Sequence, residues 1–175
     1  MGDCCVVKPT RPTSPTRCPE CGRPGRLVQR VTVKAVLRPT ALMRLSAPAH
    51  RFCSTPACRV VYFGTGEVFD RQEIVVPVFQ KEPEGDRIVC YCFAVTEGDI
   101  RREIAETGRA EAAERITALV RAERCACEVK NPQGACCLGN VVATTRAAAM
   151  GTLSEERGPA AGGCDRIDRG TGTRA

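Results

Sequence analysis

The arrangement of cysteines constrains this chain more than any other feature. Thirteen of its 175 residues are cysteines, and most of them form close pairs separated by one, two or four residues. Aromatic residues make up only 4% of the chain and tryptophan is absent, so a large hydrophobic core is hard to build. Small domains with thin cores usually need disulfides or metals to fold. Because short gaps suit metal ligands better than long-range disulfides, we predict a protein stabilised by metal ions.

Charge and composition narrow the functional classes. The N-terminal 19 residues contain no apolar run typical of a secretory signal, and no run reaches the length of a transmembrane helix. We therefore expect a cytoplasmic protein without membrane insertion. The net charge is +6, but the basic residues are dispersed, which favours a solvated surface over a nucleic-acid interface. Because no phosphate-binding loop and no GxGxxG motif is present, we expect metal binding or electron transfer rather than enzymatic turnover.

The hydrophobic pattern predicts an α+β fold with a small antiparallel β unit followed by a helical hairpin. The charged stretch KEPEGDR at 81–87 is the best boundary between them. Four parts result: a disordered arm at 1–17, a β unit at 18–85, a helical module at 86–149 and a disordered tail at 150–175.

Three runs in the first half have strand-like composition, at 27–37, 59–63 and 74–79. The sequence Gly64-Thr65-Gly66 predicts a hairpin between the second run and the EVF that follows it. Pro77 lacks a backbone N–H, so the third run is predicted to be an edge strand.

The second half has helical periodicity. Thr96 followed by Asp99 predicts a capped helix start, and Gly108 predicts its end. The apolar face of this helix is predicted to consist of Ile100, Ile104 and Ala105. A second helix is predicted at 109–123 with a stripe of Ala112, Ile116, Leu119 and Val120, and a third, short helix from about Cys136 to about Ala149.

The first cysteine constellation is Cys18-x2-Cys21 followed by Cys53-x4-Cys58. The sequence CPECG is typical of a zinc knuckle, in which one turn aims two thiolates at a single point. Four sulfurs from two turns give the closed tetrahedral site that a structural Zn²⁺ prefers. His50, the only histidine, lies three residues before Cys53 and is an alternative to one sulfur.

The second constellation is Cys90-x-Cys92, followed by the two predicted helices, then Cys125-x-Cys127 and Cys136-Cys137. An antiparallel helical hairpin brings its outer ends together, so these thiols can meet. A [2Fe–2S] cluster takes two thiolates on each iron, and this spacing suits one. Asn131-Pro132 and Gly134 predict a loop whose N–H groups can donate to sulfur.

These motifs resemble those of a known family. Cys90-Tyr-Cys92-x3-Thr96 and Asn131-Pro132-x-Gly134-x-Cys136-Cys137 resemble the iron–sulfur half of the N-terminal domain of CopZ-type copper chaperones, which is itself similar to bacterioferritin-associated ferredoxins. The motifs CPEC, FCSTPAC and VVYF resemble the zinc half of the same domain. The resemblance covers about residues 17–143. It implies Zn²⁺ on the first constellation and a [2Fe–2S] cluster on Cys90, Cys92, Cys127 and Cys137, with Cys125 and Cys136 as alternative ligands.

The resemblance also implies a function in metal handling. The chaperones of this family carry a Met-x-Cys-x-x-Cys loop that is absent from this sequence, and the vicinal Cys4 and Cys5 are the available substitute for binding a soft ion such as Cu⁺. We therefore expect a metallochaperone-like redox protein that exchanges metal with a copper-transport or other metal-handling protein. An iron–sulfur cluster carrier is the alternative, and a zinc-ribbon nucleic-acid binder is disfavoured. Cys164 is expected to be a free thiol in the tail.

Overall fold

The computed structural model describes residues 15–151. The predictions for the arm before residue 15 and for the tail after residue 151 lie outside this range. They include the proposed role of Cys4 and Cys5 and the free thiol Cys164.

The first half of the described chain is built on a four-stranded antiparallel sheet in the order β1-β2-β3-β4. Its strands are β1 (Arg26–Val28), β2 (His50–Phe52), β3 (Val60–Gly64) and β4 (Glu67–Asp70). The predicted hairpin is confirmed, because β3 pairs with β4 and the intervening Gly66 has a φ of 76°. We call residues 15–85 the β unit.

Two of the predicted strands are wrong. The run at 27–37 leaves the sheet after Val28 and forms helix α1 (Arg30–Val36), followed by the short helix α2 (Pro39–Leu42). Three of the four β-branched residues of α1, Thr32, Val33 and Val36, share one buried face, whereas Val31 is exposed. Tertiary packing of this face therefore outweighs the strand propensity of the segment. The run at 74–79 makes one isolated bridge, between Leu37 and Ile74, and then enters a 3-10 turn at Phe79–Lys81.

The core of the β unit lies between the sheet and α1. Val33 of the helix and Tyr62 of the central strand β3 are both fully buried there. On the other face of β3, Phe63 packs against the buried cysteines 18, 53 and 58. The sheet therefore separates a hydrophobic core from a layer of thiols.

The second half, residues 86–151, is the helical unit. Its elements are β5 (Ile88–Cys90), β6 (Val95–Thr96), α3 (Glu97–Thr107), α4 (Ala112–Arg121), α5 (Cys127–Lys130) and α6 (Leu138–Ala149). The two short strands pair antiparallel, and α3 and α4 both pack against α6. Fully buried Ile100 and Ile116 form the centre of this second core.

The helix boundaries agree with the sequence in part. The capping box of Thr96 and Asp99 is present and Gly108 ends α3 in the left-handed conformation, so both predictions are confirmed. The second helix is shorter than predicted, because only residues 112–121 are helical. The third begins at Leu138 rather than Cys136, and α5 was not predicted. Ala105 is exposed, so its predicted place on the apolar face with Ile100 is wrong. Five residues turn an α-helix by about 140°, which directs Ala105 away from the face that Ile100 buries.

Two charged residues of the stretch 81–87 turn inward. Lys81 is only 4% exposed. The Arg87 guanidinium lies 2.5 Å from the carboxylate of Glu97, which is fully buried and also accepts the N–H of Gly85 at 2.8 Å. A buried carboxylate needs such partners to offset its desolvation. Within residues 15–151, no helix is both long and apolar enough to cross a membrane.

Candidate metal centres

The first ligand turn is a tight knuckle around Cys18 and Cys21. The N–H of Gly22 donates to the carbonyl of Cys18 at 2.9 Å, and the N–H of Cys18 donates to the carbonyl of Arg23 at 2.8 Å. Gly22 has a φ of 69°, a conformation that favours glycine. The turn predicted from CPECG therefore forms, and it places both thiols on its inner side.

The second ligand turn joins β2 to β3. Cys53 directly follows β2 and donates its N–H to the carbonyl of Val61 at 2.9 Å, which extends the sheet pairing by one step. Cys58 donates its N–H to the carbonyl of Thr55 at 3.2 Å and closes the turn just before β3 begins. Because the sheet fixes both ends of this turn, the longer four-residue gap still presents two thiols to one point.

The four thiols converge on a single position. All four sulfurs lie within 4.8 Å of one another, with Cys18 and Cys58 3.8 Å apart and Cys21 and Cys53 3.6 Å apart. A tetrahedral ion with metal–sulfur bonds of about 2.3 Å needs ligand separations of about 3.8 Å. Three of the four cysteines are at most 5% exposed. We call Cys18, Cys21, Cys53 and Cys58 the first thiol group, and its geometry fits one closed tetrahedral site for Zn²⁺ or Cu⁺.

A buried lysine lies directly behind this group. The Lys81 ammonium donates to the carbonyls of Thr55 and Cys58 at 2.9 and 2.8 Å. Four thiolates around a divalent ion carry a net charge of −2, so a buried cation beside the second ligand turn offsets part of it. Burial lowers the pKa of Lys81, while the nearby thiols act in the opposite direction.

The thiols of the first group differ in their readiness to ionise. The side-chain hydrogen bond between Cys21 and Thr55, together with the backbone N–H of Arg23, lowers the pKa of Cys21 to about 6 although burial opposes it. Burial raises the pKa of Cys58 to about 12. Cys21, the most accessible of the four, is therefore the thiol best prepared to meet an incoming ion.

His50 does not join the first thiol group. Its imidazole is fully buried, with Nε2 2.5 Å from the Glu67 carboxylate. Burial alone would raise the pKa of Glu67, but hydrogen bonds from Ser46, Ala47 and His50 outweigh it and hold this pKa below its usual value. His50 thus connects β2 to the β3–β4 hairpin, and these contacts give it a structural role.

The second set of thiols is arranged as two pairs. The sulfurs of Cys90 and Cys137 are 3.3 Å apart, and those of Cys92 and Cys127 are 3.6 Å apart. Among residues 15–151, the first thiol group is the only place where three or more metal-ligating side chains lie mutually within 4.8 Å. Cys90, Cys92, Cys127 and Cys137, the second thiol group, therefore do not share one centre.

Each member of the second thiol group is held near the end of a regular element. Cys90 ends β5, and Cys92 lies in the turn to β6, which contains Ala94 with an unusual positive φ of 52°. Cys127 begins α5, and Cys137 directly precedes α6. The structure thus pairs Cys127 and Cys137 with the C-x-C turn, while Cys125 is half-buried and Cys136 is exposed.

Backbone N–H groups surround these sulfurs. The N–H of Ala126 donates to the sulfur of Cys92 at 3.3 Å. The hydrogen bond from the Cys137 thiol, together with the N–H groups of Phe93 and Cys92, lowers the pKa of Cys90 to about 6 although burial opposes it. The same thiol–thiol bond and burial raise the pKa of Cys137. Burial also raises the pKa of Cys127, to about 12. Cys90 is thus the thiol of the Cys90–Cys137 pair that ionises more readily.

The loop between Cys127 and Cys137 is docked on the β unit. Buried Asn131 and Gln133 form its turn, in which the Gln133 N–H donates to the Asn131 side chain at 3.1 Å. The Tyr62 hydroxyl of β3 donates to the carbonyl of Pro132, and the Thr32 hydroxyl of α1 donates to that of Glu128 at 2.6 Å. The ligand-bearing loop of the helical unit is therefore positioned by residues of the β unit.

Comparison with known proteins identifies this arrangement. Residues 15–75 match the zf_CopZ family, described as a zinc-binding domain. The crystal structure of the N-terminal domain of CopZ from Archaeoglobus fulgidus superposes with a TM-score of 0.58 and 33% identity, over 69% of this chain and 91% of that domain. This part of the chain is a CopZ-type N-terminal domain.

The full-length CopZ chaperone is longer than the region that this chain matches. The copper chaperone CopZ of A. fulgidus is 36% identical over 121 residues, which are 69% of this chain and 57% of the chaperone. The chain thus matches somewhat more than half the length of that chaperone. The similarity supports a CopZ-type domain with a metal-binding site of cysteines, in agreement with the resemblance found in the motifs.

Sequence reasoning missed the residues that surround the thiols. Lys81 was assigned to a charged boundary, and Thr55 and Gln80 were not singled out. Thr55 lies inside the second ligand turn, which is a usable signal, because polar groups that hydrogen-bond to metal ligands orient those ligands and tune the metal. The burial of Lys81 had no such signal, since it depends on where the chain passes after Pro77.

Proposed function

We propose that this chain is a metal-handling redox protein that holds Zn²⁺ on the first thiol group and a [2Fe–2S] cluster on the second. The observation that carries the proposal is the contrast between four sulfurs around one point and four sulfurs in two pairs. A [2Fe–2S] cluster needs two thiolates on each of two irons, so two separate pairs suit it. By this assignment Cys92 and Cys127 share one iron, and Cys90 and Cys137 share the other.

The surroundings of the second thiol group support this assignment. Donors such as the Ala126 N–H stabilise negative charge on the sulfurs, as expected at an iron–sulfur site. Cys90, Cys127 and Cys137 are at most 5% exposed, which limits access of water and oxygen. Half-buried Cys92 gives one edge of the site a short path to the surface.

The proposed activity is a one-electron reduction coupled to soft-metal binding. A [2Fe–2S] cluster held by the second thiol group and reduced by a one-electron donor protein would supply the electron that converts Cu²⁺ to Cu⁺, and the same donor would reduce the oxidised cluster again. Thiolates prefer Cu⁺, and Cys4 with Cys5 is the proposed pair that holds the product. The copper chaperone CopZ of A. fulgidus motivates copper as the metal. A copper-transport or other metal-handling protein is the proposed partner.

A copper titration tests the role of the vicinal thiols. Zinc-loaded protein is titrated anaerobically with Cu⁺ against a chromogenic Cu⁺ chelator. The account predicts that the double substitution Cys4→Ser with Cys5→Ser removes one tightly bound Cu⁺ per chain, while the control Cys164→Ser leaves the stoichiometry unchanged. Equal stoichiometry in all three proteins would remove Cys4 and Cys5 from the mechanism.

Cluster transfer is the second candidate function, favoured by the position of Cys136. This thiol is exposed and directly precedes the buried Cys137, so it is placed to meet an acceptor and take over a ligand position. Incubation of cluster-loaded protein with an apo-ferredoxin distinguishes the two functions. Rapid transfer that is lost in Cys136→Ser supports a carrier. A cluster that stays bound through repeated reduction and oxidation supports electron transfer.

A further inference from the structure

Three consecutive residues of a 3-10 turn, Phe79, Gln80 and Lys81, each contact a different cysteine-bearing segment. The first contact is made by the backbone of Phe79. Its N–H donates to the Tyr91 hydroxyl oxygen at 2.9 Å, and that hydroxyl donates in turn to the carbonyl of Pro77 at 2.7 Å. Tyr91 is the residue between Cys90 and Cys92, so this contact anchors the C-x-C turn.

The second contact is made by the side chain of Gln80. Its amide nitrogen donates to the side-chain oxygen of Gln133 at 2.5 Å. The Gln133 amide nitrogen donates onward to the carbonyl of Cys136 at 3.3 Å. Gln133 is 8% exposed and belongs to the loop between Cys127 and Cys137. Gln80 therefore holds the segment that carries the other two thiols of the second group.

The third contact is the one that Lys81 makes with the second ligand turn of the first thiol group, through the carbonyls of Thr55 and Cys58. Neighbouring side chains keep the turn in place. Val78 is buried in the core of the β unit, whereas Phe79 packs on the core of the helical unit with the Arg87 guanidinium 4.4 Å from its ring. The turn therefore joins two cores and three ligand segments.

We propose that the Phe79–Lys81 turn is a positioning element that makes the arrangement of the second thiol group depend on the ion bound by the first. Binding of the ion fixes the carbonyls of Thr55 and Cys58, which fixes Lys81 and, through the rigid turn, Gln80 and the backbone of Phe79. The contacts to Tyr91 and Gln133 then hold the two thiol pairs in register. This inference rests on the proposed function, because it takes the two groups to be separate metal sites.

The test uses zinc-loaded full-length protein without an iron–sulfur cluster, so its outcome does not depend on whether a cluster assembles. Amide hydrogen exchange is followed at residues 90–93 and 131–137 in the wild type and in Lys81→Met, which keeps the length of the side chain but removes its charge. The matched control is Lys34→Met, because Lys34 is exposed on α1. Zinc content is measured in every sample.

The account predicts that Lys81→Met retains zinc and exchanges about three- to tenfold faster in both segments, the range expected when a buried hydrogen-bonded contact is lost. Neither segment contains a residue that Lys81 touches directly. Lys34→Met is expected to match the wild type. If Lys81→Met changes amide hydrogen exchange only in the second ligand turn, and residues 90–93 and 131–137 exchange at wild-type rates, the proposal is wrong.

A second variant covers the case in which Lys81→Met does not fold. Gln80→Ala removes only the contact to Gln133, and Gln72→Ala, in the exposed 3-10 turn at 71–73, is its control. We expect Gln80→Ala to speed exchange at 131–137 with little change at 90–93. After anaerobic reconstitution, the visible circular dichroism of the cluster is also expected to shift in this variant. Wild-type exchange and an unshifted spectrum would overturn the assignment of Gln80 as a positioning residue.

Discussion

The two thiol groups differ in where their ligands come from and in how they meet. The first group comes from a knuckle before β1 and the turn between β2 and β3, and its four sulfurs surround one point. The second draws Cys90 and Cys92 from a β turn and Cys127 and Cys137 from the starts of two helices, and its sulfurs form two pairs. The geometry of the first thiol group therefore suits a single ion, and that of the second suits a cluster with two metal atoms.

This difference has a structural consequence. A site closed within the β unit can form as soon as that unit folds, and binding of the ion then stabilises the fold. A site assembled from three segments depends on the packing between them, and here the loop that links Cys127 to Cys137 rests on Tyr62 and Thr32 of the β unit. We therefore expect the arrangement of the second thiol group to depend on metal binding by the first. Metal binding by the first group should be largely independent of the second.

Loss of a thiol from the second group gives the largest expected effect. Cys92→Ser is expected to lower the bound iron by at least about tenfold, since even changes outside the ligand shell cost about 10- to 100-fold in metal affinity. Zinc is expected to stay near the wild-type level. Metal analysis after anaerobic reconstitution measures both, with Cys164→Ser, which is not among the proposed ligands, as the control. Loss of zinc together with iron would mean that the two groups form one site.

Loss of a thiol from the first group should affect both units. Cys53→Ser is expected to release zinc and to lower the free energy of unfolding by at least about 3 kcal/mol, a fraction of the roughly 10–16 kcal/mol that structural zinc provides. Urea denaturation of wild type and variant, each with one equivalent of Zn²⁺ added, measures the change, with the exposed Ser54→Ala as control. The iron chromophore should still form but bleach faster in air. An unchanged bleaching rate would break the proposed dependence of the second group on the first.

The smallest expected effect concerns the start of α3, which is remote from the first group. Thr96→Ala removes the helix cap and is expected to cost about 1 kcal/mol of stability near neutral pH. The cap also lowers the pKa of Asp99, chiefly through the Thr96 N–H. A carboxyl whose pKa is lower in the folded state than in the unfolded state stabilises the fold at pH values above its unfolded pKa, here 3.8. This contribution to the free energy of unfolding is lost as the pH falls through the folded-state pKa.

Stability curves against pH test this prediction. Thr96→Ala keeps the backbone N–H at this position but removes the hydrogen bond that the Thr96 hydroxyl donates to the Asp99 carboxylate at 3.0 Å. The part of the stability difference that comes from this bond should be lost below pH 3.8, so the difference between wild type and Thr96→Ala should narrow there. The exposed Thr40→Ala in α2 serves as a control with no expected pH dependence. A constant difference across the whole range would show that the Thr96 hydroxyl does not stabilise the Asp99 carboxylate.

Local signals in the sequence predicted most of the ligand geometry. The knuckle at Cys18, the hairpin at Gly66 and the capping box at Thr96 each depend on a few neighbouring residues, and each forms as predicted. The strand predicted at 27–37 failed because the buried face of α1 depends on contacts with α5 and the sheet, which propensity does not contain.

The remaining misses share that cause. The contacts of Lys81 and Gln80 join residues more than 20 positions apart in the sequence, and nothing in the charged stretch after Pro77 marks them. The choice of Cys127 and Cys137 over their neighbouring cysteines came from a family resemblance, and the structure places these two thiols beside Cys92 and Cys90.

The most direct test of the central claim is the metal and sulfide content of anaerobically purified protein, measured together with its visible spectrum. The account predicts about one zinc, two irons and two inorganic sulfides per chain, from one tetrahedral site and one [2Fe–2S] cluster. The colour should be red-brown and bleach on reduction with dithionite. Zinc alone in a colourless protein, even after anaerobic reconstitution with iron and sulfide, would contradict the account.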